Sequence, residues 1–181
     1  MSHRDRPVLI AALIAVLAPH VAHAQKDVAS CKPVFDAAEK QQATSYHAYT
    51  TMPTALPGEK PRQLELIAAG GQNYVLMDGA WKRSPMDQAA MAKQEQENIR
   101  DAKALSCHRL REESVGGIPA VVYTEHSENE DTKTDGQVWI ATATGLVLRT
   151  ETDMSMLAGG GTRHMVTQYE YTNVQAPAGA R

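Results

Sequence analysis

The sequence predicts an α+β fold, in which a curved antiparallel β-sheet forms a half-barrel with an N-terminal helix and one long helix packed on its concave side. Three observations lead to this fold class. The second half of the 181-residue chain is a run of strand-like segments joined by short turns that contain glycine. Such turns join antiparallel neighbours, because parallel strands need a crossover of about a dozen residues. Two segments rich in helix formers are available to cover the apolar face of the sheet.

The two helices are predicted at the start and in the middle of the domain. The first covers 32–44, where Val34 and Ala38 lie near one face and Pro33 stands in the first turn, which tolerates proline. The second covers 86–105, a segment dense in Ala, Gln, Glu and Lys. Its apolar residues form one stripe and its other sides are charged, so we expect it to lie across the sheet rather than to run through a core.

The strands are predicted from alternation and from the turns between them. Apolar residues alternate in 62–69, and Gly70-Gly71 then supplies a turn that accepts positive φ before the chain returns, which is typical of a hairpin. The later strands follow one another through turns of the same kind and predict a meander. The predicted strands are 45–52, 62–69, 72–78, 79–83, 106–114, 118–127, 137–143, 146–154 and 162–174.

Residues 1–24 have the pattern of a cleaved signal peptide. Arg4 and Arg6 form a positively charged start, an apolar stretch follows, and 22–24 (Ala-His-Ala) is a cleavage site with small residues. The apolar stretch is too short to span a hydrocarbon core of about 30 Å as a helix. We therefore expect cleavage after Ala24 and export to the periplasm or outside the cell. A single domain over 25–174 and a disordered tail over 175–181 would remain.

Composition sets limits on the mature chain. Cleavage would leave 157 residues, the size of one domain, with 16 Lys and Arg residues against 20 Asp and Glu residues, a net charge of −4. This charge argues against a nucleic-acid partner. Because no second apolar stretch approaches membrane-spanning length, we expect a soluble protein without an integral membrane span.

The two cysteines, Cys31 and Cys107, both follow the cleavage site. An even number of cysteines in an exported chain favours a disulfide, so we predict a bond between them. The alternative is lipidation of Cys31, because 28–31 (Val-Ala-Ser-Cys) loosely matches a lipobox. A lipobox normally adjoins the apolar stretch, which this one does not, and lipidation would leave Cys107 unpaired.

Two pairs of predicted strands carry a further signal. The segment 136–140 has a central Trp139, and 144–151 follows with a turn and a Gly-Leu-x-x-Arg strand. The segment 71–76 is followed by 79–81, which contains Trp81. Both pairs resemble strands of the LolA/LolB-like superfamily of periplasmic lipoprotein carriers. The superfamily includes mycobacterial lipid-binding lipoproteins and the amino-terminal domain of a periplasmic anti-sigma-factor regulator. The resemblance implies a hydrophobic groove for lipid or acyl chains between the sheet and the helices.

Methionine and aromatic side chains are the candidates for lining such a groove. Methionine is flexible and polarisable and adapts to chains of varied shape, and aromatic rings offer a large apolar area with a polar edge. Ordinary core packing explains the methionines as well, and strand propensity explains the aromatic residues. The candidate groove residues are Tyr74, Met77, Trp81, Met91, Trp139 and Met165.

The sequence contains no pattern typical of a metal site or of an enzyme. The histidines after the signal peptide are scattered without zinc-ligand spacing, and the carboxylates over 125–135 lack the alternating ligands and glycine of an EF-hand, which predicts a solvated loop. No serine stands in a G-x-S-x-G elbow, and paired cysteines leave no thiolate. The histidines are His47, His108, His126 and His164.

We therefore expect a non-enzymatic protein of the periplasm that needs no metal or cofactor. Its expected ligand is a lipid or the acyl chains of a lipoprotein, bound between the sheet and the helices. The alternative is an envelope protein-protein interaction module with a filled core and no ligand, which would use a strand edge or the charged loop.

Overall fold

The computed structural model describes residues 26–53 and 60–180, so the predicted signal peptide lies outside the described residues. The described residues form two helices and nine strands, which confirms the α+β class. The elements are α1 (Lys32–Gln42), β1 (Tyr46–Met52), β2 (Arg62–Ala69), β3 (Gln72–Met77), β4 (Ala80–Arg83), α2 (Gln88–Asp101), β5 (Ala104–Val115), β6 (Ile118–Glu128), β7 (Thr132–Ala141), β8 (Val147–Met156) and β9 (Thr162–Glu170).

All nine strands belong to one antiparallel sheet in the order β4-β3-β2-β1-β9-β8-β7-β6-β5. The pairs of consecutive strands confirm the predicted hairpins and meander. The pair β1–β9 joins the two halves, with Thr50 opposite Thr167 and their hydroxyl oxygens 2.9 Å apart. Strands β4 and β5 therefore form the two edges.

The sheet is open and curved, and α2 crosses its inner side. The backbone N–H of Gln88, at the start of α2, donates to the carbonyl of Gly71 in the β2–β3 turn at 3.1 Å. At the other end, Ile99 and Ala102 pack on the core beneath α1. A helix of 14 residues is about 21 Å long, whereas β2 to β5 covers six strand spacings of about 4.8 Å, or about 29 Å. Curvature towards α2 brings the two ends of the sheet within its reach.

The face of the sheet towards the helices, called the concave face below, carries the main core. The side chains of Val34 and Ala37 are the buried residues of α1 and pack against this face. Strand alternation places the sheet residues of the core on one side, because residues two apart share a face. The core consists of Cys31, Val34, Ala37, Leu105, Cys107, Val138, Ile140 and Val147.

The predicted disulfide joins Cys31, at the start of α1, to Cys107 of β5, with their Cα atoms 4.8 Å apart. It uses the sulfur that lipidation of Cys31 would require. The adjoining chain also pairs with the β5 edge: the N–H of Asp27 donates to the carbonyl of Leu105 at 2.7 Å, and the N–H of Cys107 donates to Ser30 Oγ at 3.0 Å. These contacts fix the segment before α1 along one end of β5.

The opposite face, called the convex face below, has a smaller core around Trp139. The indole of Trp139 is 2% exposed, and the guanidinium carbons of Arg149 and Arg111 lie 5.1 and 5.9 Å from the ring centroid. Cation–π contacts of this kind add to the burial of the ring. The hydroxyl of Tyr171 donates to the carbonyl of Val147. The buried residues of this cluster are Ala120, Val122, Trp139, Ala141 and Leu148.

Two predicted segments differ clearly from the structure. The second helix covers Gln88–Asp101 rather than 86–105, because Leu105 belongs to β5, pairs with Ser127 and is 2% exposed in the core. The segment predicted as a charged loop is mostly strand: β7 begins at Thr132, five residues before the predicted start. Its charged residues pair across strands, and only 129–131 remain as a turn.

The last strand ends close to its predicted position. Strand β9 ends at Glu170 rather than at residue 174. Residues 175–180 contain no helix or strand, and their disorder stays a prediction. Among the described residues, no helix has the length and hydropathy needed to cross a membrane.

Candidate functional site

The six predicted groove residues lie on two different faces of the sheet. The strand pairings place Met77 and Met165 on the concave face, and Met91 of α2 lies above that face. Tyr74, Trp81 and Trp139 point to the convex face. Residues of opposite parity in one strand cannot line the same groove. The aromatic half of the predicted set is therefore separated from the methionine half.

The methionines form a pattern of their own. All strand methionines lie on the concave face, and none of the methionines of the described residues is buried. Core packing therefore does not explain them. Met86 and Met91, just before and within α2, are 40% and 38% exposed. The strand methionines are Met52, Met77, Met154, Met156 and Met165.

A cavity of about 270 Å³ lies between the C-terminal half of α2 and the concave face. Ile99 and Ala102 of α2, with Leu105 and Met154 of the sheet, give it an apolar part. The strand residues that line it come from β5 to β8, so the cavity spans four neighbouring strands. Its polar lining consists of Glu95, Asn98, Glu125, Ser127, Glu128, Asn129, Thr132 and Thr134.

The electrostatics of this cavity are acidic. Burial raises the pKa of Glu125, and the carboxylate of Glu95 raises it further. Burial also raises the pKa of Glu95 itself. No lysine, arginine or histidine is among the lining residues, so no cation of the lining neutralises the carboxylates. The cavity combines an apolar surface with carboxylates, amides and hydroxyl groups.

Helix α2 is attached at its ends and contributes no buried residue. At its start, Asn73 Nδ2 donates to the carbonyl of Met86 at 3.0 Å and lies 2.9 Å from Met91 Sδ. At its end, Lys26 Nζ donates to the carbonyl of Arg100 at 2.6 Å, where a cation interacts favourably with the helix dipole. A helix held in this way can cover a ligand without filling the space below it.

Asn73 is the one residue in the described core that is both polar and fully buried. Its amide nitrogen is used by α2, but its Oδ1 has no hydrogen-bond partner among the described residues. A buried acceptor without a partner costs about 1–3 kcal/mol.

Sequence reasoning missed Met52, Met154, Met156, Asn73 and the two glutamates of the cavity. The signal for the methionines was their parity: Met154 and Met156 are two residues apart and so share a face. No sequence signal places Glu95 and Glu125 at one cavity, because they lie on different elements and meet only when α2 crosses the sheet.

A second, polar groove of about 350 Å³ lies mainly on the convex face. The strand pairing brings together histidines that look scattered in the sequence. His126 Nδ1 lies 2.7 Å from Asp135 Oδ1, and His164 Nδ1 lies 2.8 Å from Asp153 Oδ1. The hydrogen bond from His126 lowers the pKa of Asp135. Within 26–53 and 60–180, no group of three or more His, Cys, Asp or Glu residues is placed to hold a metal ion.

Trp81, the remaining aromatic candidate, belongs to a convex cluster near β4. Its ring lies edge-on to His47 with 5.7 Å between centroids, and His47 stacks on Tyr49 at 4.1 Å. His47 Nε2 lies 3.1 Å from Glu65 Oε2, and the Tyr49 hydroxyl lies 3.0 Å from His47 Nδ1. These contacts hold the ring within the convex face, away from α2.

Comparisons with known proteins find similar structures but no similar sequences. No protein-family model and no curated protein matches the chain. LprF from Mycobacterium bovis is similar with a TM-score of 0.49 and 8% identity, over 87% of this chain and 100% of that one. The lipoprotein LppX from Mycobacterium tuberculosis has a TM-score of 0.47 and 11% identity, over 83% and 97%. The LolA superfamily protein NE2245 from Nitrosomonas europaea has a TM-score of 0.23 and 11% identity, over 75% and 90%.

These structures include a mycobacterial lipoprotein and a LolA superfamily protein. With identities and TM-scores this low, the likeness does not show what this chain does. What this chain binds is therefore inferred from its own residues.

Proposed function

We propose that this protein is a non-enzymatic binder of the periplasm that holds an apolar ligand, such as a lipid or a lipoprotein acyl chain, between α2 and the concave face. The placement of the methionines is the observation that carries the proposal. All five strand methionines lie on the concave face, none is buried, and Met154 lines the cavity between that face and α2. A surface of flexible, polarisable side chains that are not packed into the core suits an apolar chain of variable shape.

The size of the cavity favours a slender ligand. Its 270 Å³ is slightly below the range of about 300–1,000 Å³ that is common for small-molecule sites. One alkyl chain fits this volume better than a bundle of chains. Helix α2 contributes no buried residue and packs on the core only through Ile99 and Ala102 at its end, so its earlier turns can move away from the sheet without exposing that core. A larger ligand would then extend along the exposed methionines.

The first test is to look for ligand that copurifies. Protein purified from the periplasm under native conditions would be analysed by native mass spectrometry, followed by extraction and lipid analysis. We expect an added mass that corresponds to an apolar molecule. A mass equal to that of the bare mature chain, together with no binding of added acyl chains, would refute the proposal.

A pair of variants on one strand makes the test specific. Met165→Glu places a carboxylate on the concave face, whereas Val166→Glu places the same group on the convex face one residue away, and both residues are half-buried. We expect Met165→Glu to lose bound ligand, because burying an unpaired charge beside an alkyl chain is costly. Val166→Glu should retain it. Equal retention by both variants would contradict binding on the concave face.

The second candidate function is an envelope protein-protein interaction module. One observation favours it: residues 108–114 of the edge strand β5 are all exposed, and a partner strand could extend the sheet there. Crosslinking in the periplasm would discriminate between the two functions. A partner crosslinked through β5 of a protein that carries no lipid would favour the interaction module.

A further inference from the structure

We propose that the ligand held below α2 carries a positively charged, hydrogen-bond-donating head group, of the protonated-amine class, rather than a carboxylate or a phosphate. This inference rests on the proposed function and specifies its ligand. It follows from the polar residues of the cavity lining, because the apolar residues do not determine the head group of the ligand.

The first support is the charge of the cavity lining. Three carboxylates, those of Glu95, Glu125 and Glu128, line the cavity together with uncharged residues. Glu95 lies on α2 and Glu125 on β6, so the two approach the cavity from opposite walls. Among the described residues, none of the three forms a salt bridge or a side-chain hydrogen bond. Carboxylates in a partly enclosed site are stabilised by a cation or a donor that enters it.

The second support is Asn73, which lies on the same side of α2. Its side chain is fully buried and its Oδ1 accepts no hydrogen bond from the described residues. It contacts Met91, and Glu95 follows one helical turn later, so both helix residues lie on the same face about 6 Å apart. Asn73 does not line the cavity itself, so its Oδ1 adds one further acceptor without a partner beside the carboxylates, next to α2.

The third support is that no cationic side chain lines the cavity. Arg163 is the cross-strand partner of Met154, but its side chain is exposed and does not line the cavity. The three carboxylates would repel a carboxylate or phosphate head group, because like charges in a partly buried site repel strongly and no cation of the lining neutralises them. Beside the head group, the apolar part of the lining suits the alkyl chain of a single-tailed amphiphile. This part consists of Ile99, Ala102, Leu105 and Met154.

The test compares three probes that share one alkyl chain. The mature protein would be titrated by isothermal calorimetry at neutral pH with dodecylammonium chloride, sodium dodecanoate and dodecanol, each below its aggregation threshold. We expect dodecylammonium to bind at least about tenfold more tightly than dodecanoate, the effect of one charge-assisted hydrogen bond. Dodecanol should lie between them.

Two glutamine variants with equal net charge locate the effect. Glu125→Gln removes a carboxylate of the cavity, and Glu130→Gln removes one from the β6–β7 turn outside it. Glu125→Gln should lower the affinity for dodecylammonium about tenfold and change the affinity for dodecanol by no more than about twofold. Glu130→Gln should leave both unchanged, which separates the cavity from the overall negative charge. Thermal unfolding of each variant would verify that it is folded.

The outcomes separate this inference from the proposed function. Equal binding of the three probes, tighter binding of dodecanoate, or a Glu125→Gln variant that keeps the amine preference would overturn the head-group inference while apolar binding stands. Failure of all three probes to bind would overturn both. A preference for the amine that is lost in Glu125→Gln and kept in Glu130→Gln would support the head-group inference.

Discussion

Removal of the disulfide provides a quantitative test of how the structure is held together. Cys31 and Cys107 are separated by 76 residues, and both are buried. In the chain-entropy model, closing a loop of this length lowers the entropy of the unfolded chain by about 15 cal/mol/K, which corresponds to about 4.5 kcal/mol at 25 °C. For a domain of this size, a loss of 4.5 kcal/mol lowers Tm by about 9–18 °C.

The assay is urea unfolding of the oxidised protein and of the double variant Cys31→Ala, Cys107→Ala. We expect the variant to lose about 4 kcal/mol of unfolding free energy and to show a larger m-value, because its unfolded chain exposes more surface. Reduced wild-type protein is the control for the packing of the two sulfur atoms, since it loses the bond and keeps the side chains. A loss below about 1 kcal/mol with an unchanged m-value would refute the entropic explanation.

Two further predictions concern the core and the cavity. Leu105→Ala should lower the free energy of unfolding by about 2–5 kcal/mol, because this side chain is buried in the core. Leu110 lies on the same strand and is 49% exposed, so Leu110→Ala should change it by no more than about 0.5 kcal/mol. Equal effects of the two variants in urea unfolding would contradict the assigned burial. Because burial raises the pKa of Glu125, the folded state binds more protons than the unfolded state, so its contribution to stability is lost as pH rises through the folded-state pKa. Glu125→Gln should therefore gain stability relative to wild type as pH rises above about 4.3, the ordinary pKa of glutamate. A stability difference that does not change with pH would show that the carboxylate is not desolvated.

The fold class could be predicted from local patterns because the turns fix the pairing of consecutive strands. The Gly70-Gly71 and Gly116-Gly117 turns have positive φ at both residues, which connects antiparallel neighbours within a few residues. The pairing of β1 with β9 has no such local signal. Thr50 and Thr167 are 117 residues apart, and only the complete sheet brings them together.

The boundaries of α2 and β7 show the limit of periodicity. Alanine and leucine near residue 105 suit either a helix or a strand, and the core contacts of Leu105 decide for the strand. In β7, polar residues occupy both faces between Thr132 and Gly136, so the usual alternation of apolar and polar residues is missing. The cross-strand contact between His126 and Asp135 stabilises that part of the strand instead.

The candidate site could be predicted in part, since methionine chemistry indicated an adaptable surface. The sequence could not separate Met165 from Trp139, because the face of a residue depends on how its strand registers with the neighbours. Nor could it place Glu95 opposite the sheet, because that position depends on the path of α2. For this reason the sequence predicted one groove for residues that lie on two faces. Met77, Met91 and Met165 remain candidates on the concave side.

The central position of β1 has a consequence for the order of folding. Synthesis from the N-terminus produces β1 long before β9, and β9 is the strand that links β1 to the second half of the sheet. Contacts between segments so distant in sequence form slowly, because the loop between them must first be closed. The sheet therefore cannot be completed until the last strand is available. An incomplete chain would expose the free side of β1 to proteases, so the C-terminal strand determines when the protein becomes resistant to them.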